Sequence, residues 1–292
     1  MYRSLADAIS DAEARGTTLT TVALDLESQD QGRTVADIRG SLLRALNVMR
    51  GAVEAGMTGA MRSNSGLVGG DAAKLVNSTA GPLAATPFHD ILIRALAVQE
   101  VNAAMGVIVA APTAGGAGVL PAVLTGIASA RGISDERLVD ALATAGLIGA
   151  VIAERASLPG AEGGCQAETG AAAGMAAGAA TEMLGGSPRQ AGHATALAMQ
   201  STLGLICDPL GGLVELPCVF RNATGSAIAL AAIEMALAGI EFAIPVDEVI
   251  DVMGQIGREM DVRYRETAGG GLAATPTGRR LAKERLYQIK RA

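Results

Sequence analysis

The chain has 292 residues; half of them are apolar and 38 are glycine, but there are only three Phe, three Tyr and no Trp. A formal net charge of −6 offers no basic surface to a phosphate backbone, which argues against nucleic-acid binding. A core with so few rings must be filled by small and aliphatic side chains, which let helices approach closely. We therefore expect a mainly α fold of close-packed, Ala- and Gly-rich helices.

The longest uncharged stretch, residues 101–130, is interrupted by Pro112, Pro121 and a glycine-rich turn. A helix that spans a bilayer needs about 20 apolar residues, so buried core helices are favoured over a membrane protein. A transporter with broken helices is the less favoured alternative. No charged segment followed by an apolar run opens the sequence, and the cysteine count is odd, so we expect a cytoplasmic protein.

Residues 4–60 are expected to form amphipathic helices, because apolar side chains recur there at spacings of three and four. The clearest series is Leu42, Leu46, Met49, Val53 and Met57. Two glycine-rich loops follow, SNSGLVGGD at 63–71 and APTAGGAG at 111–118. The residue types of the first suit a loop that exposes backbone N–H groups and hydroxyls, although an ordinary helix connection would have the same composition. The second is a weak indication of a helix N-terminus turned towards an anion.

The second half of the chain is also predicted to be helical. The run at 169–185 contains mostly Ala and Gly and is expected to be a buried helix. Pro245, followed by Asp247 and Glu248, indicates another helix start. Thr277 is a candidate N-cap for a charged terminal helix. Since no Pro- or Ser-rich linker and no internal repeat occurs, we expect one domain over 1–292, with its N-terminal helices at about 4–60.

Three cysteines, Cys165, Cys207 and Cys218, lie within residues 163–222. Thiolates are the ligands of iron–sulfur clusters, and three of them on a four-iron cluster leave one iron open to act as a Lewis acid. Ten residues separate the second and third cysteines, which is wider than the spacing of a zinc knuckle. The alternative is three buried thiols without a metal.

The segments around the cysteines are GGCQAE at 163–168, LICDPLGGLVELPC at 205–218 and FRNA at 220–223. Together they resemble the alpha chain of iron–sulfur-dependent L-serine dehydratase. Four more segments resemble that family in the same order, over about residues 40–280. These are SGLVGGDAAKL at 65–75, QEVNAAMG at 99–106, APTAGGAG at 111–118 and RETAGGGLAATPTG at 265–278.

The resemblance implies a [4Fe–4S] cluster held by Cys165, Cys207 and Cys218, with its fourth iron free for substrate. The hydroxyl of L-serine would bind that iron and leave while a base removes the α-proton, and the product would hydrolyse to pyruvate and ammonia. Another β-substituted amino acid such as L-threonine remains an alternative substrate. A non-catalytic cluster sensor is disfavoured, because no DNA-binding element accompanies the cysteines.

Polar residues near the cluster motifs are candidates for binding the amino and carboxylate groups of the substrate. They are Ser63, Ser65, Asp71, Thr113, Arg221 and Asn222. Arg221 suits a carboxylate, and neutralising the cluster or bracing Glu215 are equally open roles. Glu168 lies three residues beyond Cys165 and is expected to support the ligands. At Ala114 the chain departs from the family, in which Asn is common.

The catalytic base is the part of the site that the chain does not supply convincingly. Single-chain family members carry a serine-rich segment that ends in histidine, and no Ser-Ser-Ser-His occurs here. Both histidines, His89 and His193, fit structural positions better. The resemblance therefore implies a beta chain as partner, with the base on it. Pyridoxal phosphate is not expected, since Lys74, the only lysine outside the C-terminal tail, lacks the context of a Schiff-base lysine.

Overall fold

The computed structural model describes residues 2–79 and 87–289, with side chains as far as Arg285. Within these ranges the chain is mainly α in one compact domain, and its only β contact is a single bridge. The predicted fold class is confirmed. The helices are α1 (Leu5–Ala14), α2 (Leu19–Gln31), α3 (Val35–Met57), α4 (Asp71–Val76), α5 (Phe88–Ala103), α6 (Val119–Arg131), α7 (Asp135–Arg155), α8 (Gly160–Gly163), α9 (Ala171–Met183), α10 (Pro188–Gln200), α11 (Cys218–Leu237), α12 (Val246–Glu259) and α13 (Pro276–Ile289).

Helix α9 is the centre of the fold. Every residue in it except Glu182 is buried, and it packs against α6, α7, α10 and α11. Ala and Gly at almost every position leave no large side chain to hold these neighbours apart, so four helices surround it. The buried helix predicted at 169–185 is confirmed.

Carboxylates from one helix cap the N-termini of others. The Glu182 carboxylate accepts backbone N–H bonds from Leu19 (2.7 Å) and Thr20 (2.9 Å) at the start of α2. The carboxylate of Asp247, on α12, accepts backbone N–H bonds at the start of α1, and that of Glu100, on α5, accepts them at the start of α4. The first N–H groups of a helix have no partner within it, so an acceptor from another helix satisfies them and fixes the two helices together.

The N-terminal helices predicted at 4–60 are confirmed as α1 to α3, and Pro245 directly precedes α12, as predicted. The N-cap predicted at Thr277 is wrong. Helix α13 begins at Pro276, and the Thr275 hydroxyl accepts the backbone N–H of Gly278 at 3.0 Å. The reason is that proline favours the first helical position, which moves the cap to the residue before it. In the described ranges no helix combines the length and the apolar character that crossing a bilayer requires.

Helices α3 and α5 touch through a glycine. A Cβ built on Gly56 would lie 2.1 Å from the backbone oxygen of Ala97, whereas a Cβ on Gly51, one and a half turns earlier on α3, would have no atom within 4 Å. The backbone of α5 cannot yield to a methyl group at that distance. Gly56 therefore sets the separation of the two helices.

Gly56→Ala should destabilise the chain by about 1–3 kcal/mol, because the added methyl group overpacks the contact between α3 and α5. Gly51→Ala is the matched control and should be neutral or stabilising by about 0.5–1 kcal/mol, since it only improves helix propensity. Urea unfolding of both variants measures the difference. Equal stability of the two would contradict this packing.

Candidate metal centre

Cys165 is placed by a tightly anchored turn. It follows Gly164, whose φ of +76° is a left-handed conformation, and directly precedes a π-helical turn, Gln166–Gly170, that runs into α9. The Gln166 side chain fixes this turn, because its amide oxygen accepts from the backbone of Gly204 (2.9 Å) and its Nε2 donates to the backbone of Met253 (3.0 Å). This buried turn therefore fixes Cys165 relative to the segments that contain Gly204 and Met253.

Cys207 and Cys218 flank a loop that includes a short 3₁₀ turn, Leu210–Gly212, and Cys218 is the first residue of α11. All three cysteines are buried and none forms a disulfide. The sulfurs of Cys165 and Cys207 and a carboxylate oxygen of Glu168 lie within 4.8 Å of one another. The fold thus brings the thiols of Cys165 and Cys207, which are 42 residues apart in sequence, to one place, with a carboxylate beside them.

The electrostatics of the site favour a thiolate at Cys165. Hydrogen bonds with the thiols of Cys207 and Cys218 lower the pKa of Cys165 to about 3, and the nearby Arg221 cation adds to this effect. The Arg221 guanidinium lies 3.4 Å from the Cys165 sulfur. The same hydrogen bonds and burial raise the pKa values of Cys207 and Cys218. A cation beside buried sulfur stabilises the charged form that binds metals.

Arg221 itself is held by Asp208, the residue after Cys207. Its Nη2 lies 2.8 Å from the Asp208 carboxylate, and its Nη1 also donates to the backbone oxygen of Ile206 at 2.8 Å. The Asp208 side chain is only 2 % exposed and accepts the backbone N–H of Leu272 at 2.6 Å. Of the roles considered for Arg221, the geometry favours neutralising the thiols. It pairs with Asp208 and not with Glu215.

Glu168 contacts both the cysteines and the loop at 111–118. Its Oε2 lies 3.9 Å from the Cys207 sulfur, and its Oε1 accepts the Thr113 hydroxyl at 2.7 Å. Burial raises the pKa of Glu168 to about 7, although the Thr113 hydrogen bond opposes the shift. A Cβ on Gly115 would lie 2.5 Å from the same carboxylate, so a side chain at this loop position would displace it.

The segment after α12 lies alongside the second cysteine. The backbone N–H of Cys207 donates to the carbonyl of Tyr264, and that of Glu266 donates to the carbonyl of Cys207, both at 2.8 Å. Glu266 has a φ of +63°, which is strained for a residue with a side chain. Burial and the charge on Cys165 raise the pKa of Glu266, while the backbone of Ala161 opposes this. A second carboxylate thus lies near the thiols.

The structure places the other candidate residues less directly. Ser65 donates its hydroxyl to Glu215, which is buried in the loop between Cys207 and Cys218. Ser63 lies beside Ser65, where its hydroxyl accepts the backbone N–H of Val68. These serines therefore brace the cysteine loop.

Two further candidates are occupied by other partners. Asp71 pairs with Lys74 at 2.7 Å. Asn222 is fully buried; its amide donates to the backbone of Gly115 and Cys218, and its oxygen accepts from Gly118. Asn222 thus joins α11 to the start of α6. Of the six candidates, Thr113 contacts the Glu168 carboxylate and Arg221 contacts a cysteine sulfur.

The donor set fits a thiolate-bound metal group. Three buried thiols converge, and Cys165 lies beside Arg221. Gly160, next to Cys207, has no side chain to fill the space there. A Cβ on Gly160 would lie 3.2 Å from the Cys207 sulfur and 2.7 Å from the Glu168 carboxylate. Soft thiolates select iron–sulfur clusters or other soft metals.

Asp208 and Glu266 are residues that sequence reasoning did not select for the site. A signal was present for both, since Asp208 follows a cysteine directly and Glu266 lies in the RETAGGG segment. The sequence does not reveal their partners, because these lie far along the chain. Asp208 pairs with Arg221, 13 residues away, and Glu266 bonds Cys207, 59 residues away.

Asp208→Ala should destabilise the chain by about 3 kcal/mol, because it leaves the half-buried Arg221 without its counter-charge. It should also speed amide exchange in residues 262–272, which lose their anchor at Leu272. The control is Asp261→Ala, which removes an exposed pair with Arg263 and should cost much less stability, because solvent screens exposed ion pairs. Urea unfolding and hydrogen exchange measure both. Similar losses in the two variants would contradict the role of Asp208.

Known proteins resemble this chain over most of its length. The family described as "Serine dehydratase alpha chain" matches residues 14–273. The "Probable L-serine dehydratase, alpha chain" of Bacillus subtilis is 46 % identical over 97 % of this chain and 95 % of its own length. The "L-serine dehydratase, alpha chain" of Peptoniphilus asaccharolyticus is 37 % identical over 99 % of both.

A longer relative is the "L-serine dehydratase" of Streptomyces coelicolor, which is 42 % identical over 89 % of this chain but only 58 % of its own length. The family match covers most of the chain, and two alpha chains align along almost their whole length. The chain therefore belongs to the serine dehydratase alpha chain family, a family of lyases.

Proposed function

We propose that this chain is the alpha chain of an iron–sulfur-dependent L-serine dehydratase, which converts L-serine to pyruvate and ammonia in the cytoplasm. The observation that carries the proposal is the meeting of three buried, unpaired cysteines beside Arg221. The names of the relatives support the substrate. We further propose that residues 1–292 act as one cluster-binding domain, without pyridoxal phosphate.

In this proposal Cys165, Cys207 and Cys218 hold a [4Fe–4S] cluster. When bound, the cluster supplies a Lewis acid that makes the serine hydroxyl a better leaving group. The residues of the chain do the rest. Arg221 neutralises negative charge at Cys165 and is held in position by Asp208. Gly160 keeps the adjacent wall open.

We propose that two carboxylates and a hydroxyl orient the substrate. Thr113 and Glu168 are hydrogen-bonded at the cysteines, and Glu266 adds a further negative charge near Cys165. L-Serine is a zwitterion, so its ammonium group is attracted to these carboxylates. We propose Glu168 and Glu266 as its acceptors. Ser65 braces the loop between Cys207 and Cys218, and Asn222 braces the loop that carries Thr113. Direct contacts of Ser63, Ser65, Asn222 and Asp71 with substrate remain predictions.

The proton acceptor is proposed to lie on a beta chain. Neither histidine is placed as a base at the cysteines: the His193 Nδ1 accepts the backbone N–H of Phe242 at 3.2 Å, and His89 lies in the first turn of α5. Lys74 is 77 % exposed and paired with Asp71. The words "alpha chain" in the names of two relatives support a second chain.

Replacing any one cysteine by serine should abolish stable cluster assembly, because an alcohol is a poor ligand for iron compared with a thiolate. Iron and sulfide content and the visible absorption of the anaerobically reconstituted chain give the readout. Ser226→Ala is the matched control: it lies on α11 with Cys218, is buried, and donates its hydroxyl only to the backbone of Asn222. Normal iron content in any of the cysteine variants would overturn the assignment of that ligand.

The reconstituted chain alone should turn over L-serine about 10²–10⁴-fold more slowly than its complex with the beta chain, since general-base catalysis contributes about that much. Pyruvate formation is measured with each chain alone and with both. His89→Ala in the complex should leave the rate unchanged. Full activity of the isolated chain would defeat the two-chain proposal. The turnover rates of L-serine and L-threonine, measured in parallel, decide between the two substrates.

A further inference from the structure

A cavity lies beside the turn that leads to Cys165, where Ala161, Glu162 and Gly163 line it. It has a volume of about 350 Å³ and is formed by the end of α7, the turn of α8, one face of α12 and Arg265. Pockets that bind small molecules have volumes on the order of 300–1,000 Å³. None of the residues that line it is a cysteine or one of the proposed substrate-binding residues.

Two glycines of α12 that line this cavity let the helix pack closely against α7 and α8. A Cβ on Gly254 would lie 3.1 Å from Ala156, and one on Gly257 would lie 2.9 Å from the Cα of Gly163. Helix α12 therefore approaches α7 and α8 at backbone contact distance on either side of the open space. Much of the cavity lining is main chain and small side chains, so its few long, charged side chains determine what it can bind.

Two of the long side chains that line the cavity are arginines, Arg258 and Arg265. In the described parts of the chain, neither Arg258 nor Arg265 has a side-chain hydrogen bond or ion pair with the protein, and the Nε of Arg265 is buried without an acceptor. A buried donor that lacks an acceptor costs free energy, so a missing acceptor is indicated. The opposing charges nearby are those of Glu162, whose carboxylate accepts the Ser157 hydroxyl at 2.6 Å, and of Asp261, which acts on Arg265 at longer range.

We infer that this cavity binds a small oxyanion, a carboxylate or a phosphate, between Arg258 and Arg265. Guanidinium groups bind both through paired, charge-assisted hydrogen bonds. Arg265 stands opposite Cys207, since the backbone groups of its two neighbours, Tyr264 and Glu266, pair with Cys207. A bound oxyanion therefore holds residues 262–272 against the second cysteine. The site is independent of the proposed cluster chemistry.

The test uses the full chain, without cluster, and calorimetric titration with inorganic phosphate, pyruvate and L-serine in separate experiments. Saturable binding of at least one of them supports the inference, and which one binds identifies the source of the oxyanion. Arg258→Gln and Arg265→Gln should each weaken that binding about tenfold or more. Arg263→Gln is the matched control: this neighbour is 61 % exposed and already paired with Asp261, so its loss should leave the affinity unchanged.

Hydrogen exchange gives the second readout. The bound anion should slow amide exchange in residues 262–272 in the wild-type chain and not in Arg258→Gln, which lies on the surface of α12 and is expected to fold normally. Cys165→Ser should retain the binding, so failure of the cluster proposal does not affect this result. No saturable binding of any of the three compounds, or equal affinity in all variants, would overturn the inference.

Discussion

The charge pair between Cys165 and Arg221 is the interaction on which the rest of the site depends. A thiolate buried in a protein interior is costly unless a cation and hydrogen-bond donors surround it. Arg221 lies 3.4 Å from the sulfur, and Asp208 holds the other side of the guanidinium at 2.8 Å. Asp208 in turn binds the backbone of Leu272, so the same network fastens the C-terminal segment to the cysteine loop.

The fold supplies the rigidity that this network needs. Helix α9 continues directly from the turn that carries Cys165, and its small side chains let four helices pack against it. Polar groups that would otherwise be unsatisfied link one helix to the next, as Glu182, Asp247 and Glu100 do at helix N-termini. Asn222 performs the same function beside Cys218. Positions near the thiols are thereby set by backbone contacts from several directions.

Much of this arrangement could be predicted from local patterns. The spacing of Leu46, Met49 and Val53 predicts a helix, the Ala- and Gly-rich run predicts α9, and the cysteine motifs indicate thiols that the fold brings together. What depends on distant contacts could not be predicted. No local pattern reveals that Asp208 binds Leu272 or that Glu215 receives Ser65, because these contacts join segments 64 and 150 residues apart. At Thr277 the local capping rule itself gave the wrong residue, because Thr275, two residues earlier, caps α13.

The central claim is that the three cysteines hold a cluster to which L-serine binds directly. The most direct measurement is the visible and paramagnetic-resonance spectrum of the anaerobically reconstituted complex with the beta chain, recorded with and without L-serine. The account predicts about four irons per alpha chain and a spectrum that changes when L-serine is added. Iron well below that content, or a cluster whose spectrum ignores L-serine, would contradict it.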